Sequence, residues 1–421
     1  MAASAAPSTS RTVQRAAYLV PAADFDRVGA RGRLSFQGQP PPPGCGKAKT
    51  LRLFRKLPGG WYRLPRPAGV LLFGPAADDR TETGAEIDPE HAELRAGLRQ
   101  YQERALEAVL AHDSGILRAD CGTGKTVTAL AMVCRLRRRA AVLVHNERLA
   151  SQWVAAAAQH TSLRTTLVRG PSCEVAGADL AVCLVQTVCR REAGLFDTVG
   201  VVFFDETHHA PAKQMGDALE KFAARRRYGL TATMTRSDGF DEAIPLMVGP
   251  VRIDVSRRQE VRVFDHPYAN PGARPDRPSE VVQAMVDDRA RTAAVQAIVA
   301  ECLGRGRRVM VIASRIQLLE ALEVADRGDA CLFGDRRDEV GVLEAAPVVL
   351  ASTSLASEGI DLPSRNCLVM ALPLSHPGIV EQVVGRVTRG SAAAEVHDLV
   401  DLWAPSAGAK RRGLYKRKGW V

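Results

Sequence analysis

The sequence predicts an α/β protein of two tandem lobes, each a parallel sheet flanked by helices, behind a small N-terminal β-rich or α+β module. Short apolar runs alternate with amphipathic stretches from residue 91 to 250, and the alternation resumes beyond a polar, proline-rich interruption. Length agrees, because 421 residues exceed what one hydrophobic core ordinarily serves.

Residues 1–90 hold short candidate strands (AAYLV, RLSFQ, TLRLFRKL, GWYRLP, GVLLFG) broken by the turn-forming run GQPPPPGCGK. Between Lys47 and Arg66 basic residues alternate with aromatics, a pairing that suits phosphate contact with base stacking. The same pattern also suits a basic strand face whose Phe54 and Trp61 fill a small core. The first lobe spans 91–250, with GILRA, AAVLVH, LAVCLV, VGVVFFDE and YGLTAT as its strands. The stretch 251–280, containing FDHPYANPGARPDRPSE, reads as a linker. The second lobe spans 281–403, with RVMVIAS, ACLFG, APVVLAST, CLVMALP and EVHDLVDL, and 404–421 forms a basic tail.

Lys and Arg outnumber Asp and Glu by 57 to 47, a net charge of +10 that favours a polyanionic partner. The nine cysteines include no C-x-x-C pair, so they read as reduced thiols of an intracellular protein rather than a zinc ribbon. No apolar run reaches the roughly 18–20 residues of a membrane span, which excludes a membrane role. The acid-free start MAASAAPSTSRTVQRAA reads as a frayed tail more readily than as a transit peptide.

Two motifs carry the chemistry. ADCGTGKT lies between the strand GILRA and the helical run TVTALAMVCRLRRR, where a glycine-rich turn can aim backbone N–H groups at phosphates. Gly122, Thr123 and Gly124 would form the cradle, Lys125 would reach the β and γ phosphates, and the Thr126 hydroxyl would help hold Mg²⁺. VVFFDETHH then brings two carboxylates to the C-terminal end of a strand, where open α/β sheets bind ligands. Asp205 suits the metal and Glu206 the base that activates water. His208 and His209 beside them could signal a metal site, but no second ligand cluster with zinc spacing is near in sequence, and a coupling role for His208 is preferred.

DETHH is similar to the DExH box of superfamily 2 of the helicases, and further motifs follow in that family's order. The resemblance implies two RecA-like lobes that close on ATP with Mg²⁺ and move along nucleic acid. LRQYQ resembles the family's nucleotide-recognition element and would place Gln102 on the adenine edge. VLVHNERLASQW and LVQT resemble backbone-gripping elements, implicating His145, Asn146, Arg148, Gln152, Gln186 and Thr187. GLTATMTR resembles the motif in which Thr231 and Thr233 link hydrolysis to strand movement.

In the second lobe, VMVIASR would supply phosphate contacts from Ser314 and Arg315. LASTSLASEGIDLP would supply a strand contact from Thr353 and nucleotide sensing by Glu358, Gly359 and Asp361. EQVVGRVTRG matches Q-x-x-G-R-x-x-R, with Gln382, Arg386 and Arg389 expected on one helix face and the arginines on the γ-phosphate. The combination is closest to the branch holding XPB, UvsW and phage or large-virus DNA helicases, so DNA is preferred to RNA. Where that branch often carries Arg-Glu-Asp, this chain reads Thr235, Arg236, Ser237, Asp238. The rival readings are a duplex translocase or branched-DNA remodeller, a DExH RNA helicase, and a degenerate nucleic-acid-binding protein. Intact Lys125, Asp205, Glu206, Arg386 and Arg389 speak against the last.

Overall fold

The computed structural model describes residues 12–39, 48–120, 122–236, 238–255, 260–357, 362–388 and 393–421. The chain divides into two compact units, 1–256 and 257–421.

The first unit is built on a seven-stranded sheet. Its strands run, edge to edge, Thr165–Val168, Leu180–Leu184, Ala140–Val144, Val201–Asp205, Arg226–Thr231, Ser114–Ala119 and Val251–Val255. Every pairing is parallel. Ala140–Val144 and Val201–Asp205 are buried along their whole length, as expected for strands covered on both faces. Successive side chains go to opposite cores. Val201 and Phe203 join the helices Gln100–Leu110, Lys125–Leu136 and Glu147–His160, while Val202 and Phe204 face the other way. Asp205 follows the parity of Val201 and Phe203, and so projects from the face that carries the P-loop helix.

The N-terminal residues form a five-stranded sheet and a separate two-stranded ribbon, Ser35–Gln37 with Thr50–Arg52. Their core is continuous with the first lobe: Tyr18, Phe25, Tyr62 and Phe73 belong to the same buried cluster as Phe204, Phe222 and Ile244. The run GVLLFG, expected as a strand, is instead part of the helix Arg66–Phe73. A proline in its first turn starts it, and Gly69 is pressed so closely on Tyr18 that a Cβ would meet the ring at 2.1 Å. Arg66 is buried and donates to the carbonyls of Ala224 at 2.5 Å and Arg225 at 2.6 Å, pinning this helix to the lobe. Phe54 lies 5.2 Å from Phe25, so it fills the core, while Trp61 stays half-buried. Lys47 lies outside the described residues.

The expected linker 251–280 carries regular structure. Val251–Val255 closes the edge of the first sheet, and Val261–Tyr268 opens the edge of the second. Parallel neighbours satisfy the backbone of both segments, which outweighs their polar composition.

The second unit's sheet runs Val261–Tyr268, Ala394–Asp401, Cys367–Met370, Val309–Ala313, Val348–Ser352, Ala330–Phe333, Arg336–Arg337. All its pairings are parallel except the last. The expected tail 404–421 is the helix Pro405–Lys418, folded onto this sheet. Its Arg411 is buried and grips both oxygens of Asp398 at 2.7 Å, while Leu414, Tyr415 and Trp420 enter the core. Lys410, Arg412, Lys416 and Arg417 remain exposed. Among the described residues no helix is long and apolar enough to cross a membrane.

Candidate nucleotide and nucleic-acid site

The strand Ser114–Ala119 feeds the candidate phosphate-binding turn, and the helix Lys125–Leu136 leaves it. Gly122 and Gly124 have φ of 76° and 82°, left-handed values that favour glycine and let the backbone turn tightly. Cys121 lies outside the described residues. Lys125 Nζ donates to the carbonyls of Ala119 at 2.8 Å and Asp120 at 3.3 Å, an internal arrangement that terminal phosphate oxygens would replace. Thr126 sits half-buried one residue further into the helix.

Gln102 is buried against this turn. Its Oε1 accepts from Arg99 N at 2.9 Å and its Nε2 donates to Gly124 O at 3.3 Å, while Tyr101 Oη donates to Thr123 O at 3.0 Å. The LRQYQ element therefore buttresses the phosphate loop directly. Tyr101, Gln102 and Thr123, with Ala105, Leu117 and Val255, line a cleft of only about 10 Å³, so a base would have to open it.

Asp205 and Glu206 end the strand Val201–Asp205. Burial, reinforced by Glu206, pushes the Asp205 carboxyl up to about 6, while Trp153 and the charge of Lys125 oppose the shift. Trp153 Nε1 donates to Asp205 Oδ2 at 2.8 Å, and Glu206 N to Oδ1 at 3.0 Å. A buried carboxylate that is so costly to ionise alone fits a divalent cation, and Thr126 is the hydroxyl that would share it. Glu206 has φ of 50°, an uncommon left-handed value for a side chain this large.

His208 joins the carboxylates to the linkage motif. Its Nδ1 lies 3.3 Å from Glu206 Oε2 and 3.3 Å from Thr231 Oγ1, and Thr231 Oγ1 in turn donates to Thr233 O at 2.5 Å. Arg236 closes the arrangement, donating to the His208 carbonyl and to Asp238 at 2.8 and 2.5 Å. His209 packs 4.8 Å from His145, and burial, followed by His208, His145 and Arg236, lowers its pKa to about 3.

The strand-contact candidates of this unit meet around His145. Asn146 caps the helix Glu147–His160, its Oδ1 accepting from Leu149 N at 2.8 Å, and its Nδ2 lies 3.0 Å from His145 Nε2. Gln186 Nε2 donates to His145 O at 2.9 Å, and buried Thr187 accepts from Gly170 N at 3.2 Å. Arg148 and Gln152 are half-buried on the same helix.

In the second unit, Ser314 and Arg315 stand exposed beyond the strand Val309–Ala313, and Thr353 is buried beyond Val348–Ser352. Gln382 and Arg386 lie on the helix Pro377–Val387, where Arg386 is buried and donates to Ala356 O at 3.2 Å. That helix stops at Val387 with Thr388 as its cap. The expected single helical face therefore reaches Gln382 and Arg386, while Arg389 lies outside the described residues, as do Glu358, Gly359 and Asp361.

Sequence reasoning missed Trp153 and Arg236. Trp153 stands beside Gln152, within the segment quoted for strand gripping, but its partner is 52 residues away. Arg236 stood where the chain departs from the branch pattern.

Fold and site together define the class of the protein: two α/β units, the first with a P-loop-like strand-turn-helix. Residues 95–236 match the family model described as Type III restriction enzyme, res subunit. A protein of Acanthamoeba polyphaga mimivirus whose name describes an ATP-dependent RNA helicase, L396, is 20% identical over 73% of this chain and 64% of its own length. The DNA 3'-5' helicase XPB of Mycobacterium tuberculosis is 27% identical over 61% of this chain and 47% of its own. The chain thus spans less than two thirds of either relative. Among solved structures, the ATP-dependent Type ISP restriction-modification enzyme LlaBIII bound to DNA shares the fold, with a TM-score of 0.56 at 15% identity over 77% of this chain and 30% of that one. The similarities found are thus to helicases and ATP-dependent restriction enzymes, in keeping with the resemblance to superfamily 2 that the motifs carry.

Proposed function

We propose that this protein is an ATP-dependent DNA helicase or translocase, in which hydrolysis at the P-loop drives movement along a strand. The observation that carries the reading is the chain of contacts from Glu206 through His208 to Thr231 and Thr233, which links the hydrolytic carboxylate to the strand leading into Arg236. A change at the terminal phosphate can move that chain.

Lys125 would hold the terminal phosphates, and Asp205 with Thr126 would hold Mg²⁺. When bound, the ion would neutralise phosphate charge and orient the oxygens. Glu206 positions the attacking water and takes its proton, while Arg386 and Arg389 stabilise charge in the transition state. Gln382, Gly359 and Asp361 sense nucleotide. Asn146, Arg148, Gln152, Gln186, Thr187, Ser314, Arg315 and Thr353 contact nucleic acid. The exposed Arg52, Arg55 and Lys56 of the N-terminal module add phosphate contacts. Such a protein acts inside the cell, wherever its nucleic acid is.

DNA is preferred because the mycobacterial relative is named for it. The test is the ATPase rate of the full chain alone and with single-stranded, duplex and forked DNA and single-stranded RNA. The reading expects stimulation by DNA. Stimulation by RNA alone would transfer the activity to RNA, and none by any polymer would refute a nucleic-acid motor.

A further inference from the structure

The second unit carries a buried cluster that the nucleotide chemistry does not use. Cys302 lies near the end of the helix Arg289–Gly304, and Cys367, Glu395 and His397 lie on two adjacent parallel strands. Cys367 is in register with Glu395, and Val369 with His397, so all three side chains share the face that this helix covers. One ligand atom from each of the four residues lies within 4.8 Å of all the others, and all four residues are buried. Among the described residues no other group of three or more potential ligands converges in this way.

We propose that Cys302, Cys367 and His397, with Glu395 as the fourth ligand, form a structural site for a thiophilic divalent cation, zinc above all. Zinc bonds of about 2.3 Å to sulfur and 2.0–2.1 Å to nitrogen or oxygen, set tetrahedrally, separate neighbouring ligand atoms by roughly 3.3–3.8 Å. Cys302 Sγ lies 3.3 Å from His397 Nε2, and that nitrogen lies 3.6 Å from Glu395 Oε2. These two pairs stand at the required spacing, and Cys367 Sγ lies within 4.8 Å of the other three ligand atoms.

The surroundings suit the same ion. His397 Nδ1 lies 2.9 Å from His266 Nε2, a hydrogen bond that fixes the ring and leaves Nε2 for the metal, and Phe264 stacks on the ring at 4.9 Å. Arg305 and Arg307 hold Glu395 at 3.0 and 2.6 Å, and Arg305 also reaches Cys302 Sγ at 3.6 Å. With both cysteines ionised, the two thiolates neutralise a divalent cation, and Glu395 offsets one of the two guanidinium groups. Cys367 begins its strand and Glu395 is the second residue of its own, whereas Ser314 and Thr353 follow the C-terminal ends of theirs. The metal therefore lies at the opposite end of the sheet from the motif residues, where it would clip the helix to two strands.

The test uses the full chain, purified reduced and without chelator. Elemental analysis should find about one zinc per chain. Cobalt in its place should give thiolate-to-metal charge-transfer absorption, which a cobalt ion at Asp205 cannot produce. Cys302→Ser and Cys367→Ser should abolish that absorption, whereas Cys331→Ser, a buried cysteine outside the cluster, should keep it. His266→Gln should weaken metal affinity by about 10–100-fold. The wild type supplies a readout that needs no variant: removing zinc should lower the Tm and adding it back should restore it. A reduced chain with no bound zinc, no cobalt absorption and no response of Tm to zinc would overturn the proposal. So would absorption that survives both serine substitutions, or a disulfide between Cys302 and Cys367 in place of the metal.

Discussion

Trp153 donates its indole N–H to Asp205 Oδ2 over 2.8 Å, with both side chains buried. The bond helps to set the orientation of the carboxylate proposed to hold the metal and opposes the upward shift of its pKa, which burial and Glu206 bring to about 6. Trp153→Phe keeps the bulk and removes the donor. The carboxyl should then protonate at still higher pH, so the acid limb of the ATPase pH profile should move to higher pH. The Mg²⁺ requirement should rise about 10–100-fold. An unchanged profile and Mg²⁺ dependence would reduce Trp153 to a packing residue.

The two charges beside it that are proposed to act in catalysis, Lys125 and Glu206, should separate by phenotype. Lys125→Ala removes the point charge on the terminal phosphates and should abolish turnover while weakening ATP binding. Glu206→Gln keeps the shape of the side chain but loses the base, so ATP should bind with near-normal affinity and turn over very slowly. Nucleotide titration and single-turnover hydrolysis measure both, and normal turnover in Glu206→Gln would remove Glu206 from the mechanism.

The N-terminal module shares its core with the first lobe, which changes how its role must be tested. A chain starting near residue 90 would expose the apolar surface that Tyr18, Phe25 and Phe73 cover, so truncation confuses folding with binding. Arg66→Ala leaves two carbonyls without their charged donor and should cost about 2–4 kcal/mol in denaturant unfolding. Replacing the exposed Arg52, Arg55 and Lys56 by alanine should instead leave stability unchanged and weaken DNA binding. The slope of log K against log salt should fall by roughly 1–3. An unchanged slope would make this face purely structural.

The parallel strands were legible because apolar runs of five or six residues have one economical home, a sheet covered on both faces. The edge strands were not. Val261–Tyr268 is half-buried or exposed after its buried first residue and contains His266 and Pro267, a composition that reads as loop until its partner Ala394–Asp401 is known. GVLLFG failed for a related reason: an apolar run this short has no visible period, and Pro65 and Pro67 were the better guide to a helix. At the site, the positions of Gly122 and Gly124 in a tight turn, Lys125 at a helix start and Asp205 with Glu206 at a strand end were readable because the local sequence fixes them. Trp153 and the cluster of Cys302, Cys367, Glu395 and His397 are joined only by the fold, so spacing along the chain could not reveal them.

His209 gives the stability a pH dependence with a definite sign. Burial, then His208, His145 and Arg236, depress its pKa from 6.5 to about 3. The folded state therefore holds it neutral where the unfolded chain would protonate it. The associated stability is present above pH 6.5 and is lost as the pH falls towards 3, a loss of the order of 2 kcal/mol by about pH 4.5. Urea unfolding at a series of pH values should show this slope, and His209→Asn should flatten it. A slope that survives the substitution would assign the effect to other groups.

Arg389 offers the sharpest separation of binding from catalysis. Arg386 is already engaged inside its own unit by the carbonyl of Ala356, so Arg386→Ala would disturb packing as well as charge. If Arg389 acts on phosphate charge that develops only during transfer, its contribution belongs to the transition state rather than to the bound nucleotide. Arg389→Ala should then leave ATP affinity within a few-fold of the parent and leave Tm unchanged. Nucleic-acid-stimulated turnover should fall by about 10³-fold or more. Arg389→Lys should recover little of it, because an ammonium group lacks the planar fork that engages two oxygens at once. An Arg389→Ala protein that hydrolyses ATP at the full stimulated rate would show that the P-loop unit completes the chemistry by itself, and that the Q-x-x-G-R-x-x-R segment has another task.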